Sequence, residues 1–165
     1  MRIEKCGHFV DEREVHRYIL ENKNGVRAVF TDLGAVWLSF LFPNRSGKLV
    51  DVLLSVENWE DLMENPGHMG EVVGRNANRI NGGHFQLHGK DYHLFLNDKQ
   101  HSNCHSGPEY FGRRLFQAKQ KGENSICFSL FSKDMDQGFP GNMHVKVRYT
   151  LDEKNNLACR YTAST

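Results

Sequence analysis

The 165-residue sequence predicts an all-β protein, an antiparallel β-sandwich, on three observations. Two stretches near the C-terminus alternate apolar and polar residues, two earlier runs are hinged on Asn24-Gly25, and helical spacing occurs in one short segment alone. In MHVKVRYTL, Met143, Val145, Val147, Tyr149 and Leu151 alternate with His144, Lys146, Arg148 and Thr150, as in a strand with one face on a core. After the turn-like DEKNN, LACRYTAS puts Leu157, Cys159, Tyr161 and Ala163 on one face, and the two stretches predict a hairpin. EVHRYIL and VRAVFTDL flank Asn24-Gly25, a turn signal in which glycine tolerates positive φ, and predict a second hairpin. AVWLSFLF predicts a more fully buried strand ending at Pro43, and SICFSLFS alternates Ile126, Phe128 and Leu130 against Cys127 and Ser129. The helix is SVENWEDLMENPG, where Ser55 is the expected cap. Trp59, Leu62 and Met63 share a face, and Pro66-Gly67 closes the segment. Without repeats, low-complexity tracts or linkers, residues 1–165 predict a single domain.

Charge narrows the partners. Twenty-one basic and 20 acidic residues leave a net charge of +1, so no strong field gathers nucleic acid or an anionic membrane. A small or neutral partner is expected instead. The start lacks the apolar run of a signal peptide, and no stretch of about 18 apolar residues offers a membrane span, so a soluble, cytoplasmic protein is expected. Cys6, Cys104, Cys127 and Cys159 are scattered singly, unlike a zinc site or a disulfide framework. Cys104 adjoins His105, but neighbours in an extended chain point to opposite sides, which argues against a nucleophile-base pair. The final RYTAST stops within a strand pattern. Such a strand is expected to seek a partner, self-association included, and the chain reads as the front part of a longer protein.

The stretch GRNANRINGGHF concentrates hydrogen-bonding capacity and backbone freedom. Gly74, Gly82 and Gly83 permit turns; Asn76, Asn78 and Asn81 supply donors and acceptors; Arg75 and Arg79 add forks of donors. A polyol needs this mixture, but the same residues also build plain turns, and residue types alone leave both open. The pattern matches no phosphate loop. His84, His88, His93, His101 and His105 raise the question of a metal. His84 and His88, on the polar face of a hairpin whose turn is expected at Gly89-Lys90, would stand ~13 Å apart, too far for one zinc. His105 differs, lying in the polar loop NDKQHSNCHSGPEYFG, where a rigid sheet can present a proton-transfer group. In DMDQGFPGN, Asp134 and Asp136 are expected to cap turns.

Together, GRNANRINGGHFQLHGKDYHL, NDKQHSNCHSG and DQGFPGNMHVKVRYTL resemble the front portion of the aldose 1-epimerase (galactose mutarotase) family. That family carries G-R-x-A-N-R-I, a G-x-F-x-L-x-G-x-x-Y-x-L hairpin, N-x-L-H-G-G and a D-x-x-G-x-P-G turn in this order, and DLGAVWLSFLFPNRSGKLVDVLL resembles its earlier segment. The resemblance implies a β supersandwich of which residues 1–165 form the N-terminal part. It also implies interconversion of the α and β anomers of free aldohexoses such as galactose and glucose, with no metal or organic cofactor. It assigns sugar binding to Asn78 and Arg79 and catalysis to His105, which would polarise the ring oxygen, while Arg75 and Asn76 stabilise the loop. Two departures stand out: SNCHSG replaces the family's leucine and glycine around the histidine, and the spacing from hairpin to histidine is one residue longer. The family's second histidine and its general-base glutamate fall beyond the equivalent of Thr165, so this chain alone is expected to be inactive or nearly so. Two alternatives are a non-catalytic carbohydrate-binding or regulatory module of the same fold, and a hexose-6-phosphate 1-epimerase, which would need a cationic clamp.

Overall fold

Neighbours in sequence are neighbours in space throughout the two main sheets. β1 (Arg2–His8), β2 (Glu14–Glu21), β3 (Arg27–Thr31), β4 (Trp37–Pro43) and β5 (Leu49–Asp51) pair in order as one antiparallel sheet. The helix α1 (Trp59–Glu64) follows. Two short antiparallel pairs come next: β6 (Arg79–Asn81) with β9 (Ser102–Cys104), and β7 (His84–Leu87) with β8 (Lys90–His93). β10 (Gln117–Gln120), β11 (Ser125–Ser132), β12 (Met143–Leu151) and β13 (Leu157–Ser164) complete a four-stranded antiparallel sheet. The computed structural model describes residues 1–56 and 58–165.

The main sheets meet face to face across one core. Tyr18, Leu20, Ala28 and Phe30 from the first pack with Ile126, Phe128, Val145, Val147, Tyr149 and Leu151 from the second. Phe30 stacks on Tyr149 at 4.1 Å between ring centroids, and Tyr18 meets Phe128 edge-on at 5.4 Å. Each such fully buried side chain contributes about 1.5–3 kcal/mol. Buried hydroxyls find partners: Tyr149 donates to the Ala35 carbonyl and Tyr18 to Asp32 Oδ2, both at 3.1 Å. A smaller cluster of Val15, Leu33, Val36, Leu38 and Leu62 seats α1, with Trp59 and Met63 packed against it. The helix therefore buries the face its spacing predicts.

Both predicted hairpins form, the first across β2 and β3 and the second across β12 and β13. Several details differ from expectation. The helix cap is Asn58, whose Oδ1 accepts the Asp61 N–H at 2.8 Å; Ser55 lies a turn too early. β4 is half-buried rather than fully buried, with Leu38 alone in the core, because its outer neighbour β5 is three residues long and lies at the sheet edge. Only Leu157 of the inward set on β13 is partly covered; Cys159, Tyr161 and Ala163 are exposed. His88 sits in the turn between β7 and β8 with φ 51°, so the turn is His88-Gly89 and Lys90 already belongs to β8. Asp134 caps a turn by accepting the Gly141 N–H at 2.5 Å, but Asp136 is instead a buried ion-pair partner, gripped by Arg114 at 2.5 and 2.7 Å. Burial alone would raise the Asp136 pKa, yet hydrogen bonds from Arg114 and Ser132 with the charges of Arg114 and Arg75 hold it below the ordinary carboxylate value.

Candidate functional site

The β6–β9 ladder sets the site's geometry. Its register pairs Arg79 with Cys104, so Asn78 and His105 are the residues at which both chains leave the ladder side by side. Both take left-handed φ, 65° and 53°, a region that Asn and His enter more readily than most side chains. They then lock together. The His105 N–H donates to the Asn78 carbonyl, and the Asn78 N–H donates to His105 Nδ1, each at 3.1 Å. A ring nitrogen that accepts cannot carry the proton, so neutral His105 holds its proton on Nε2. Burial pushes the His105 pKa below 6.5, the charges of His68 and Arg79 push the same way, and Glu71 opposes them.

The departures in SNCHSG turn out to be anchored. Ser106 is buried, and its hydroxyl accepts the Asn76 N–H at 2.7 Å while donating to the Asn76 carbonyl at 3.1 Å. The Asn97 side chain grips both backbone groups of Cys104, at 2.7 and 2.8 Å. Arg79 Nε donates to Asp98 Oδ2 at 2.6 Å and Nη1 to Asn78 Oδ1 at 3.2 Å, which leaves Nη2 without a protein partner among the described residues. Arg75 faces away from this corner, into carbonyls of residues 132–140.

A second segment reaches the same place from α1. Buried Asn65, the helix C-cap, accepts the Met69 N–H at 2.9 Å and donates to the Met69 carbonyl at 3.1 Å, curling residues 65–69 into a tight loop. Gly70 docks that loop on β4. Its carbonyl accepts the Trp37 N–H at 2.9 Å, its φ is +68°, and a Cβ there would lie 2.2 Å from the Trp37 carbonyl oxygen. The loop carries His68 and Glu71. His68 Nδ1 makes a short hydrogen bond with Glu71 Oε1, the Tyr110 hydroxyl lies 3.1 Å from the same nitrogen, and the His68 and His105 ring centroids are 4.6 Å apart. Burial, then the Glu71 charge, raises the Tyr110 pKa well above 10, so the phenol keeps its proton.

These side chains enclose a hollow of about 240 Å³ lined by His68, Arg79, Asp98, His105 and Tyr110, with Asn97 and Cys104 completing it. That is below the roughly 300–1,000 Å³ of drug-sized ligand sites and suits one small ring. A larger cavity of about 500 Å³ shares Asn97 and Tyr110 with it and sets apolar Phe9, Leu33, Leu62 and Met63 beside Glu71, Glu109 and Arg113. The smaller hollow alone brings two histidines together with Arg79 and Asp98, which makes it the better chemical site.

Of the residues singled out from the sequence, Arg79 and His105 line this hollow. Asn78 serves it through its backbone and through the bond from Arg79. The hairpin histidines have other neighbours: His84 pairs with Asp91 at 2.9 Å and stacks on His93 at 4.8 Å. Among the described residues, no group of three or more His, Cys, Asp or Glu could hold a metal ion. Sequence reasoning missed His68, Glu71 and Tyr110. The signal available was GHMG, a histidine flanked by glycines in a loop, the same kind of setting that marked His105.

Comparison with known proteins places the chain as a whole among relatives. A model of the aldose 1-epimerase family matches residues 16–165. An aldose 1-epimerase of Haemophilus influenzae is 42% identical over 144 residues, covering 86% of this chain and 41% of the relative. The Escherichia coli K12 aldose 1-epimerase is 33% identical, over 88% of this chain and 42% of its own length. Human galactose mutarotase is 38% identical over 66% of this chain and 31% of its own. Among solved structures, the galactose 1-epimerase of Lactobacillus acidophilus superposes with a TM-score of 0.87 at 24% identity, over 99% of this chain and 48% of that one, a likeness of fold. An aldose epimerase homologue from C. elegans gives 0.84 at 28% identity, over 90% and 45%. The chain thus spans less than half the length of the relatives it matches. With a family match over most of its residues and the fold of those structures, this chain belongs to the aldose 1-epimerase family.

Proposed function

We propose that the hollow takes the ring of a free aldohexose, galactose or glucose, and serves interconversion of its α and β anomers. The observation that carries this reading is the Asn78–His105 lock, which leaves a neutral imidazole with its Nε2–H unspent beside the Arg79 guanidinium. In this reading both donate to the ring oxygen. As that oxygen gains a proton and the anomeric hydroxyl loses one, the bond between C1 and the ring oxygen breaks to give the open-chain aldehyde. Rotation about C1–C2 and closure on the other carbonyl face then deliver the other anomer. Preset donors aimed at the oxygen where charge develops lower that barrier. By the family resemblance, a second histidine and a glutamate are supplied from beyond the equivalent of Thr165. A general base contributes ~10²- to 10⁴-fold, so the 165-residue chain is proposed to bind sugar while accelerating anomer exchange little.

An unphosphorylated sugar is favoured because the nearby cations have other work. Arg75 is occupied by carbonyls of residues 132–140, Arg113 by those of Met63 and Glu64, and Arg114 by Asp136 and the Glu109 carbonyl. Amide and side-chain NMR during titration with galactose, glucose and glucose 6-phosphate tests the reading. The neutral sugars should shift Arg79 and His105 signals, the effect should vanish in Arg79→Ala and His105→Ala, and the phosphate ester should bind no tighter. Binding indifferent to both substitutions, or clear preference for the ester, would overturn it.

A further inference from the structure

The first sheet carries one charge that its own surroundings do not answer. On β2, Arg17 alternates onto the same side as Val15 and Ile19, which are buried, and Val15 belongs to the cluster that seats α1. A charge on an apolar face needs a partner. Glu4, opposite Arg17 in the ladder with β1, pairs instead with Arg2 at 2.8 Å. Among the described residues no carboxylate pairs with the Arg17 guanidinium, and its Nε is buried without a hydrogen-bond partner. Burial raises the pKa of neighbouring Cys6 and the Arg17 charge only opposes that rise, so the thiol supplies no counter-charge.

Arg17 lines a cavity of about 390 Å³ beside α1, whose apolar walls are Val29, Leu38, Leu53, Val56 and Leu62. The volume falls within the roughly 300–1,000 Å³ of small-molecule sites. Ser55, on the loop between β5 and α1, also lines it, and Ser55 Oγ is likewise buried without a hydrogen-bond partner among the described residues. Unmatched polar groups cost stability, and a ligand that matches them recovers it on binding. Val52 and Leu54 of the same loop are exposed and extend the apolar surface on the solvent side. Asp51 is the acid among the lining residues. Burial works the other way, but bonds from Ser39 and from the Phe40 and Leu53 N–H groups, the last two at 3.0 and 3.1 Å, hold its pKa below the ordinary carboxylate value. It therefore stays anionic and disfavours a doubly charged ligand. We infer that this cavity binds a small monocarboxylate bearing an apolar chain, with the carboxylate on the Arg17 guanidinium and the Ser55 hydroxyl and the chain on Val29, Leu38 and Leu62. One guanidinium matches one carboxylate fork to fork. A phosphate would bring a second charge toward Asp51 and further oxygens onto apolar walls. The site shares no lining residue with the sugar hollow and does not depend on the sugar reading.

Octanoate, octan-1-ol and acetate, titrated separately into the 165-residue chain and followed by methyl and arginine side-chain NMR, test this. Octanoate, kept below its micellar concentration, should saturate and shift the Arg17 Nε–H and the Leu38 and Leu62 methyl signals. Acetate lacks the chain and octan-1-ol the charge, so each should bind at least about tenfold more weakly. Arg17→Met keeps the stem and removes the charge. It should weaken octanoate about ten- to a hundredfold and leave octan-1-ol within about twofold. Its urea midpoint should be unchanged or raised, because an unpaired charge on an apolar face gives way to an apolar side chain. Ser55→Ala should weaken octanoate about three- to tenfold. Absence of saturable octanoate binding, equal affinity for octanoate and either control, or equal loss of octanoate and octan-1-ol in Arg17→Met would overturn the inference. So would a lowered urea midpoint in Arg17→Met, which would show that the guanidinium serves the fold instead.

Discussion

Replacing Arg75 by methionine should weaken the fold, whereas replacing Arg79 four residues later should leave it standing. Arg75 Nε donates to Ser132 Oγ at 2.8 Å; its Nη2 reaches the carbonyls of Ser132 and Lys133 at 3.0 and 2.6 Å, and its Nη1 those of Phe139 and Pro140 at 3.2 and 2.9 Å. One side chain thus ties the GRNANRI corner to the end of β11 and to the FPG bend before β12. Methionine keeps the apolar stem and removes every donor. Each buried acceptor left unsatisfied costs about 1–3 kcal/mol. These carbonyls lie in part-buried loops where water can reach some of them, so a total of about 2–4 kcal/mol is expected, a large part of a stability of roughly 5–15 kcal/mol. For a chain of this size that corresponds to a fall in Tm of about 4–16 °C. Arg79 is 56% exposed in its side chain, and its pair with Asp98 is worth about 0–1 kcal/mol to stability. Urea and thermal unfolding of the two variants, with galactose titration by NMR, make the comparison. Arg75→Met should lose stability first, and Arg79→Met should lose sugar binding with its urea midpoint nearly intact. Equal midpoints for the two variants would refute the division of labour between clamp and ligand.

The loop bearing His68 depends on Gly70, where alanine combines a φ of +68° with a Cβ 2.2 Å from the Trp37 carbonyl oxygen. Gly70→Ala should cost at least about 2 kcal/mol, whereas Gly25→Ala, with φ +76° and open space around it, carries only the backbone strain of about 1 kcal/mol; similar urea midpoints for the two would show that the docking of this loop is not tight. Because the His105 pKa is lowered in the fold, the unfolded chain binds the proton first, so this group's stability is fully present above about pH 6.5 and is lost as pH falls through the lower folded value. Unfolding measured against pH should therefore show a loss of stability below pH 6.5 that is smaller in His105→Gln, and an identical pH dependence in both proteins would contradict the buried, neutral assignment.

The sequence made the sheets legible and hid part of the site, for a physical reason visible in particular residues. β12 could be read because its core face meets an opposing sheet and its other face meets water, which forces Val145, Val147 and Tyr149 to alternate with exposed Lys146 and Arg148. β1 escaped because it is an edge strand whose residues are mostly exposed, and QAKQ of β10 is polar for the same reason. β9 read as loop since a three-residue ladder is too short to show any period. His105 and Asn78 were each found through a motif of the family resemblance, N-x-L-H-G-G for the first and G-R-x-A-N-R-I for the second. His68 and Glu71 belong to no periodic pattern and share no motif with His105; they reach it only because Asn65 curls the chain after α1 and Gly70 lets it settle on β4. Their meeting with His105, 37 and 34 residues away in sequence, is a product of tertiary packing, and local propensity carries no trace of it. What a sequence can announce in such a case is the unusual residue in the unusual setting, here a histidine between glycines. Its hydrogen-bond partner is a carboxylate that only the folded chain brings within reach, and so the make-up of that wall of the hollow is a property of the packing of three loops.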